Sequence, residues 1–173
     1  MTDKILLILS TLDTDDDRIA IKKTLRGRDV EVTCESRRGE GRAIEEAFRY
    51  AESTSKRVVA LQVLSSHLYH WGRCDSILSG PGKARFLIYV RDEVLRRSRE
   101  KAEILHQSAQ ERGIAIEIRS VESEDPGSAI IEEAEKGYES IFLPKQRKGL
   151  FPLFEKTLTQ HLHKKVSSRI IEC

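Results

Sequence analysis

Apolar residues along this chain fall into two alternating patterns: short runs with strand character and longer stretches with a period near that of a helix. Residues 4–10 (KILLILS) are a continuous apolar run, as expected of a strand covered on both faces. Thr14 followed by Asp15, Asp16 and Asp17 reads as a helix start, a cap with acids at the positive end of the dipole, and Gly27 supplies a stop. Residues 30–34 (VEVTC) form a second strand. Over 42–53, Ala43, Ile44, Ala47, Phe48 and Ala51 line one apolar stripe of a helix, and 57–64 (RVVALQVL) are a third strand. Residues 65–84 are irregular, broken by Gly72, Gly80, Pro81 and Gly82. A long helix is predicted over 86–111, with Val90, Val94, Leu95, Ala102, Leu105 and Ala109 near one face and Arg96, Arg97, Arg99 and Lys101 mostly outside it. Gly113 ends it, and 114–121 alternates as a strand. Asp125 is the cap of the next helix and Pro126 stands at its first position, where a missing N–H costs nothing. Ile130, Ile131 and Ala134 form its apolar face, and Gly137 ends it. A strand over 139–143, a basic loop over 145–149, a helix over 153–165 and a last strand over 168–172 complete the chain.

Six strands alternating with five helices predict an α/β fold. Repeated β-α-β units make a mostly parallel sheet with helices on both faces, a three-layer α/β/α arrangement. Ligands of such sheets bind beyond the carboxyl ends of the strands, near a switch in strand order.

Composition adjusts this picture little. A length of 173 residues suits a single domain. Charged residues make up 34% of the chain, so the surface is expected to be strongly ionic, yet 30 Lys and Arg against 28 Asp and Glu leave a net charge of only +2. That balance, with no aromatic residues interleaved among the arginines, argues against a nucleic-acid binder. Arginines 37, 38, 42, 96, 97 and 99 are expected to form surface pairs with Glu40, Glu45, Glu93 and Glu100. The apolar run after Met1 is too short for a secretory signal or a membrane span. Three widely spaced cysteines, Cys34, Cys74 and Cys173, do not make a disulfide framework, and the expected location is the cytoplasm.

Candidate chemistry is sparse. His67, His70, Cys74 and Asp75 share one stretch and include ligand types that zinc takes, but the favoured reading is an irregular link packed down by Tyr69 and Trp71. His161 and His163 lie two apart on the last helix and do not share a face. No H-E-x-x-H, C-x-x-C or G-x-S-x-G occurs, and no acid/base pair is placed together by spacing, so the expectation is no catalytic residue and no metal.

From residue 30 onward the order of elements resembles the universal stress protein family, whose fold is adenine nucleotide alpha hydrolase-like. The matching pieces are VEVTC, the helix RAIEEAFRYA, VVALQVL, the link 65–84 and the helix 86–111. The most specific stretch is EDPGSAIIEEAEKGYESIFLP, similar to the family's Pro-containing cap, helix, and acidic residue opening an apolar strand. TLTQHLHKKVSSRII is similar to its last helix and final strand. In this register 30–173 are the core of a single domain and 1–29 an extra strand and helix. A rival register makes KILLILS the first strand, with VEVTC inserted; spacing favours the former, because VEVTC leads through one helix into VVALQVL.

The resemblance also sets expectations for function. ATP-binding members carry an Asp at the end of the first strand, where this chain has Glu35. After the fourth strand they carry glycines that let backbone N–H groups approach phosphates, ending in Gly-Ser or Gly-Thr at a helix start. Here only Gly149 stands at an expected glycine; Pro144 and Gln146 replace two others, and the closing pair is Lys156-Thr157. The departures imply loss of nucleotide binding and a non-catalytic regulatory protein acting by dimerisation and binding of a protein partner. The competing expectation is an ATP or AMP binder, or weak ATPase, with a remodelled loop using Glu35, Lys145, Arg147, Gly149, Lys156 and Thr157. Family members commonly dimerise through the last strand, which here offers Ile170 and Ile171 as an apolar edge.

Overall fold

The computed structural model describes residues 3–9, 38–65, 81–144 and 152–173. The predicted helix after Thr14, the strand 30–34, residues 66–80 of the link 65–84 and the loop 145–149 lie outside them; Ser65 closes a strand and 81–84 are helical, so the long helix starts at Pro81 rather than 86. The described elements are β1 (Lys4–Ile8), α1 (Arg38–Thr54), β2 (Arg57–Ser65), α2 (Pro81–Glu111), β3 (Ile116–Ser123), α3 (Pro126–Ala134), β4 (Ser140–Leu143), α4 (Pro152–Lys165) and β5 (Arg169–Glu172).

Local chemistry accounts for most boundaries. The stripe Ala43, Ala47, Phe48 and Ala51 is buried as its spacing requires. Asp125 caps α3 by accepting from the backbone N–H groups of Gly127 and Ser128, with Pro126 opening the helix. The bonds from Ser128 hold the Asp125 carboxyl below its usual value. Gly113 takes a left-handed φ of 68° after α2, and the N–H of Ile114 turns back to the carbonyl of Ala109 at 2.9 Å. That turn consumes the residues before Ile116, so β3 begins two residues later than the alternation predicts.

The five strands form one parallel sheet in the order β3-β2-β1-β4-β5. Alternate residues face opposite layers. Ile5, Leu7, Leu9, Val58 and Ala60 pack under α1 and α2 with Phe48, Leu105 and Ala109. Leu6, Ile8, Val59, Leu61 and Val63 pack under α3 and α4 with Ile130, Ala134 and Leu162. The three-layer α/β/α expectation holds.

One expectation is overturned. KILLI is no strand added to a core that starts at residue 30; it is the centre of the sheet, paired from Lys4 opposite Arg57 to Ile8 opposite Leu61, and with β4 on its other side. Every residue from Ile5 to Leu9 is at most 3% exposed. The rival register is the observed one. A strand buried on both faces needs an uninterrupted apolar run, which KILLIL is and VEVTC is not.

Surface charges pair, though not all as expected. Arg96 bonds Glu93 and Glu100, and Arg97 bonds Glu93, whose carboxyl is held down at about 2 by these two guanidinium groups. Glu40 and Glu45 instead meet Lys101 and Arg112. Arg42 forms no ion pair among the described residues, where those two carboxylates point toward α2 and the residue after it.

Candidate functional site

In the order β3-β2-β1-β4-β5 the chain first builds outward from β1 through β2 to β3, then crosses back to β4 on the other side. The switch point therefore lies between β1 and β4, and the crevice beyond their carboxyl ends is where ligands of such sheets bind. Its floor is apolar. Leu9, Val63 and Leu143 are buried, the N–H of Leu9 donates to the carbonyl of Leu61 at 2.9 Å, and the N–H of Cys173 to that of Leu143 at 2.9 Å. A polar ligand there must be held by the connections that rise from the strand ends.

Lys145, Arg147 and Gly149 belong to the connection from β4 to α4 and lie outside the described residues, but chain continuity starts that connection at the crevice, immediately after Pro144. Glu35 also lies outside them, in the connection from β1 to α1. With β1 as the first strand, Glu35 does not stand at that strand's end; the residues that follow the strand begin at Leu9. The sequence signal for this was the continuous apolar run at 4–9.

Lys156 and Thr157 are the fifth and sixth residues of α4. Only the first N–H groups of a helix lack an intrahelical acceptor. Those of Lys156 and Thr157 belong to the helix ladder, more than a turn past the start, and Pro152 at the first position has no N–H to offer.

Deeper on the α1/α2 side, Gln62 is fully buried in β2, accepts a hydrogen bond from the Ser98 hydroxyl at 2.9 Å, and its Nε2 has no partner among the described residues. Nothing in the sequence pattern singled it out beyond a lone amide within an apolar strand.

At the opposite end of the sheet the surroundings are ionic. Tyr50 Oη donates to Glu139 Oε1 at 2.7 Å and Lys56 bonds the other oxygen, tying α1 to the start of β4. The Lys56 ammonium and the Tyr50 hydroxyl hold the Glu139 carboxyl below its usual value. A cavity of about 430 Å³ opens there among Asp3, Glu52, Lys56, Arg57 and Arg112. Lys56 and Arg112 are engaged with Glu139, Glu45 and Glu52, and residues at the ends of α1 and α2 line it.

Ile170 and Ile171 sit on β5, an outer strand of the sheet, and are half-buried on opposite faces, Ile170 against the α3/α4 cluster and Ile171 against the α1/α2 cluster. Cys173 is half-buried beyond them, and burial pushes its thiol up, away from thiolate chemistry. Among the described residues no cluster of His, Cys, Asp and Glu is placed to hold a metal, and no helix is long and apolar enough to cross a membrane. The 67–75 stretch lies outside them.

No family model and no curated protein matches the chain. Solved structures do. A protein from the universal stress protein family of Burkholderia pseudomallei is 17% identical, with a TM-score of 0.54 over 98% of this chain and 96% of its own. The Archaeoglobus fulgidus universal stress protein, in complex with dAMP, is 13% identical at a TM-score of 0.51 over 97% and 94%. A universal stress protein family protein from Arabidopsis thaliana, with AMP bound, is 15% identical at 0.51 over 99% and 90%. The fold is that of the universal stress proteins. The likeness spans nearly the whole chain, including the central strand β1, which agrees with the corrected register.

Proposed function

We propose that this chain is a non-catalytic regulatory protein of the universal stress protein type, cytoplasmic, acting through dimerisation and binding of a protein partner, and that it does not hold ATP. The observation that carries this reading is the start of α4. Pro152 opens the helix, and Lys156-Thr157 fall inside its ladder, so free backbone donors and absent side chains do not meet where a triphosphate needs them. Calorimetric titration with ATP and magnesium tests it. No heat of binding at millimolar ATP is the expected result; micromolar binding that disappears in Thr157→Ala or Lys156→Glu would sink it.

The dimer in this reading forms along β5, an outer strand whose Ile170 and Ile171 a second copy would cover. Ile170→Lys is expected to give monomer by sedimentation, and an unchanged dimer would remove this contact from the proposal.

A second reading is nucleotide binding through a remodelled loop, with or without weak ATPase activity. It is favoured by two solved structures of this fold that hold dAMP and AMP. A monophosphate asks less of the β4–α4 connection than a triphosphate does. In that case Lys145, Arg147 and Lys156 act as point charges, Thr157 as a hydroxyl donor and Gly149 as the close backbone approach, with Glu35 on the facing connection. AMP binding without ATP binding would favour this second reading over the first.

A further inference from the structure

The two halves of α2 differ. The helix has 31 residues, roughly 46 Å at the usual rise. Arg91 reaches Glu122, near the end of β3, at 3.8 Å. The helix runs back from the carboxyl end of the sheet, so the turns before Arg91 extend roughly 15 Å past that edge. The described buried residues of α2, Val94, Ser98, Leu105 and Ala109, all follow Arg91.

The projecting part is nevertheless apolar. Phe86 to Val90 are five apolar residues in succession, more than one helical turn, so they cannot all face one side. Ile88 and Tyr89 are 60% and 56% exposed. Arg85, Ile88, Tyr89 and Asp92 follow the i, i+3, i+4, i+7 spacing that places residues on one face, and all four are exposed. Several charges further along α2 are matched, Glu93 with Arg96 and Arg97, Glu100 with Arg96, and Lys101 with Glu40, while Arg99 and Glu103 have no ion-pair partner among the described residues. Arg85 and Asp92 have no ion-pair partner among the described residues. The stripe thus reads as cation, apolar, apolar, anion, symmetric about the midpoint between Ile88 and Tyr89.

That pattern is self-complementary. A second α2 laid antiparallel about a two-fold axis at that midpoint sets Arg85 against the partner's Asp92, and Ile88 against the partner's Tyr89, twice over. We propose that this stripe is a self-association surface of the chain, in which two copies cross antiparallel at the projecting turns of α2. It is separate from the β5 edge, because α2 leads into β3 at the opposite side of the sheet. Two turns of helix bury less than the roughly 1,000 Å² of a stable interface. The contact is therefore a concentration-dependent equilibrium when it acts alone.

Charge reversal with mixing tests it. In sedimentation velocity, Arg85→Asp and Asp92→Arg, both at exposed positions, are each expected to lose the concentration-dependent step shown by the unsubstituted chain. An equimolar mixture of the two is expected to regain it, since each reversed charge then meets its opposite, and the double substitution should regain it alone. No change in either variant, or a loss that the mixture does not repair, overturns the proposal. Repeating the series in Ile170→Lys keeps the two contacts apart: association that vanishes with Ile170→Lys and ignores both α2 substitutions upholds the edge contact and overturns this one. Binding to anionic vesicles that Arg85→Asp weakens and Asp92→Arg strengthens, with sedimentation unchanged, overturns it in favour of a lipid surface.

Discussion

Each face of the sheet buries a polar side chain, and the two are satisfied differently. Under α3, Glu133 is 4% exposed and accepts from Tyr138 Oη, from Arg119 at 2.7 Å and from Lys136 at 2.8 Å. Burial alone would push its carboxyl up; the bonds from Lys136 and Tyr138 and the field of Arg119 outweigh burial and hold it below the usual value. The same burial, with the hydrogen bond to Glu133, pushes the Tyr138 hydroxyl up. Under α2, Gln62 is equally buried, yet among the described residues it is met only by Ser98, which leaves Nε2 unpartnered. A buried charge persists only where donors surround it, whereas a neutral amide tolerates one missing bond at a cost of about 1–3 kcal/mol.

Substitutions can break this comparison or sharpen it. The largest effect is expected in the apolar strand that both faces share. Leu6→Ala under α3 and Leu7→Ala under α1 should each cost about 3 kcal/mol in urea unfolding. A much smaller loss at either would argue against β1 as the sheet's centre. Glu133→Ala should cost about 2 kcal/mol, less than a fully buried pair, because Arg119 and Lys136 are 33% and 51% exposed and recover water. Its carboxyl is depressed in the folded chain. Its contribution is therefore complete above the ordinary value of 4.5 and is lost as pH falls below it. Glu133→Gln should flatten the decline of stability with acid, and an unaltered pH profile would show that the cluster carries no such linkage. The smallest effects separate the two ways of leaving Gln62. Ser98→Ala strands its Oε1 as well and should cost about 1–2 kcal/mol, while Gln62→Leu combined with Ser98→Ala removes every polar atom of the pair and should be nearly neutral. The opposite order would mean that the unpartnered Nε2 is satisfied in solution.

Much of the fold was legible because its signals are local. The stripe on α1, the cap at Asp125 with Pro126, the turn at Gly113 and the short strand at 140–143 are each written within a few consecutive residues. The candidate site was legible only as chemistry. The basic residues after β4 and the hydroxyl of Thr157 stand in the sequence, but Glu35 was tied to a strand end that belongs to another strand. Arg112, which joins α2 to α1 through Glu45, was missed because the two residues lie far apart along the chain.

The sequence by itself determined an alternation of strands and helices, the capping of α3 and the balance of charge, since periodicity, caps and composition need no distant partner. Only the tertiary structure decided which strand is central, where the crevice opens, and which exposed residues of α2 share a face that the other described residues leave uncovered. Those are matters of pairing between segments remote in sequence, and an apolar run announces that it must be covered without announcing by what.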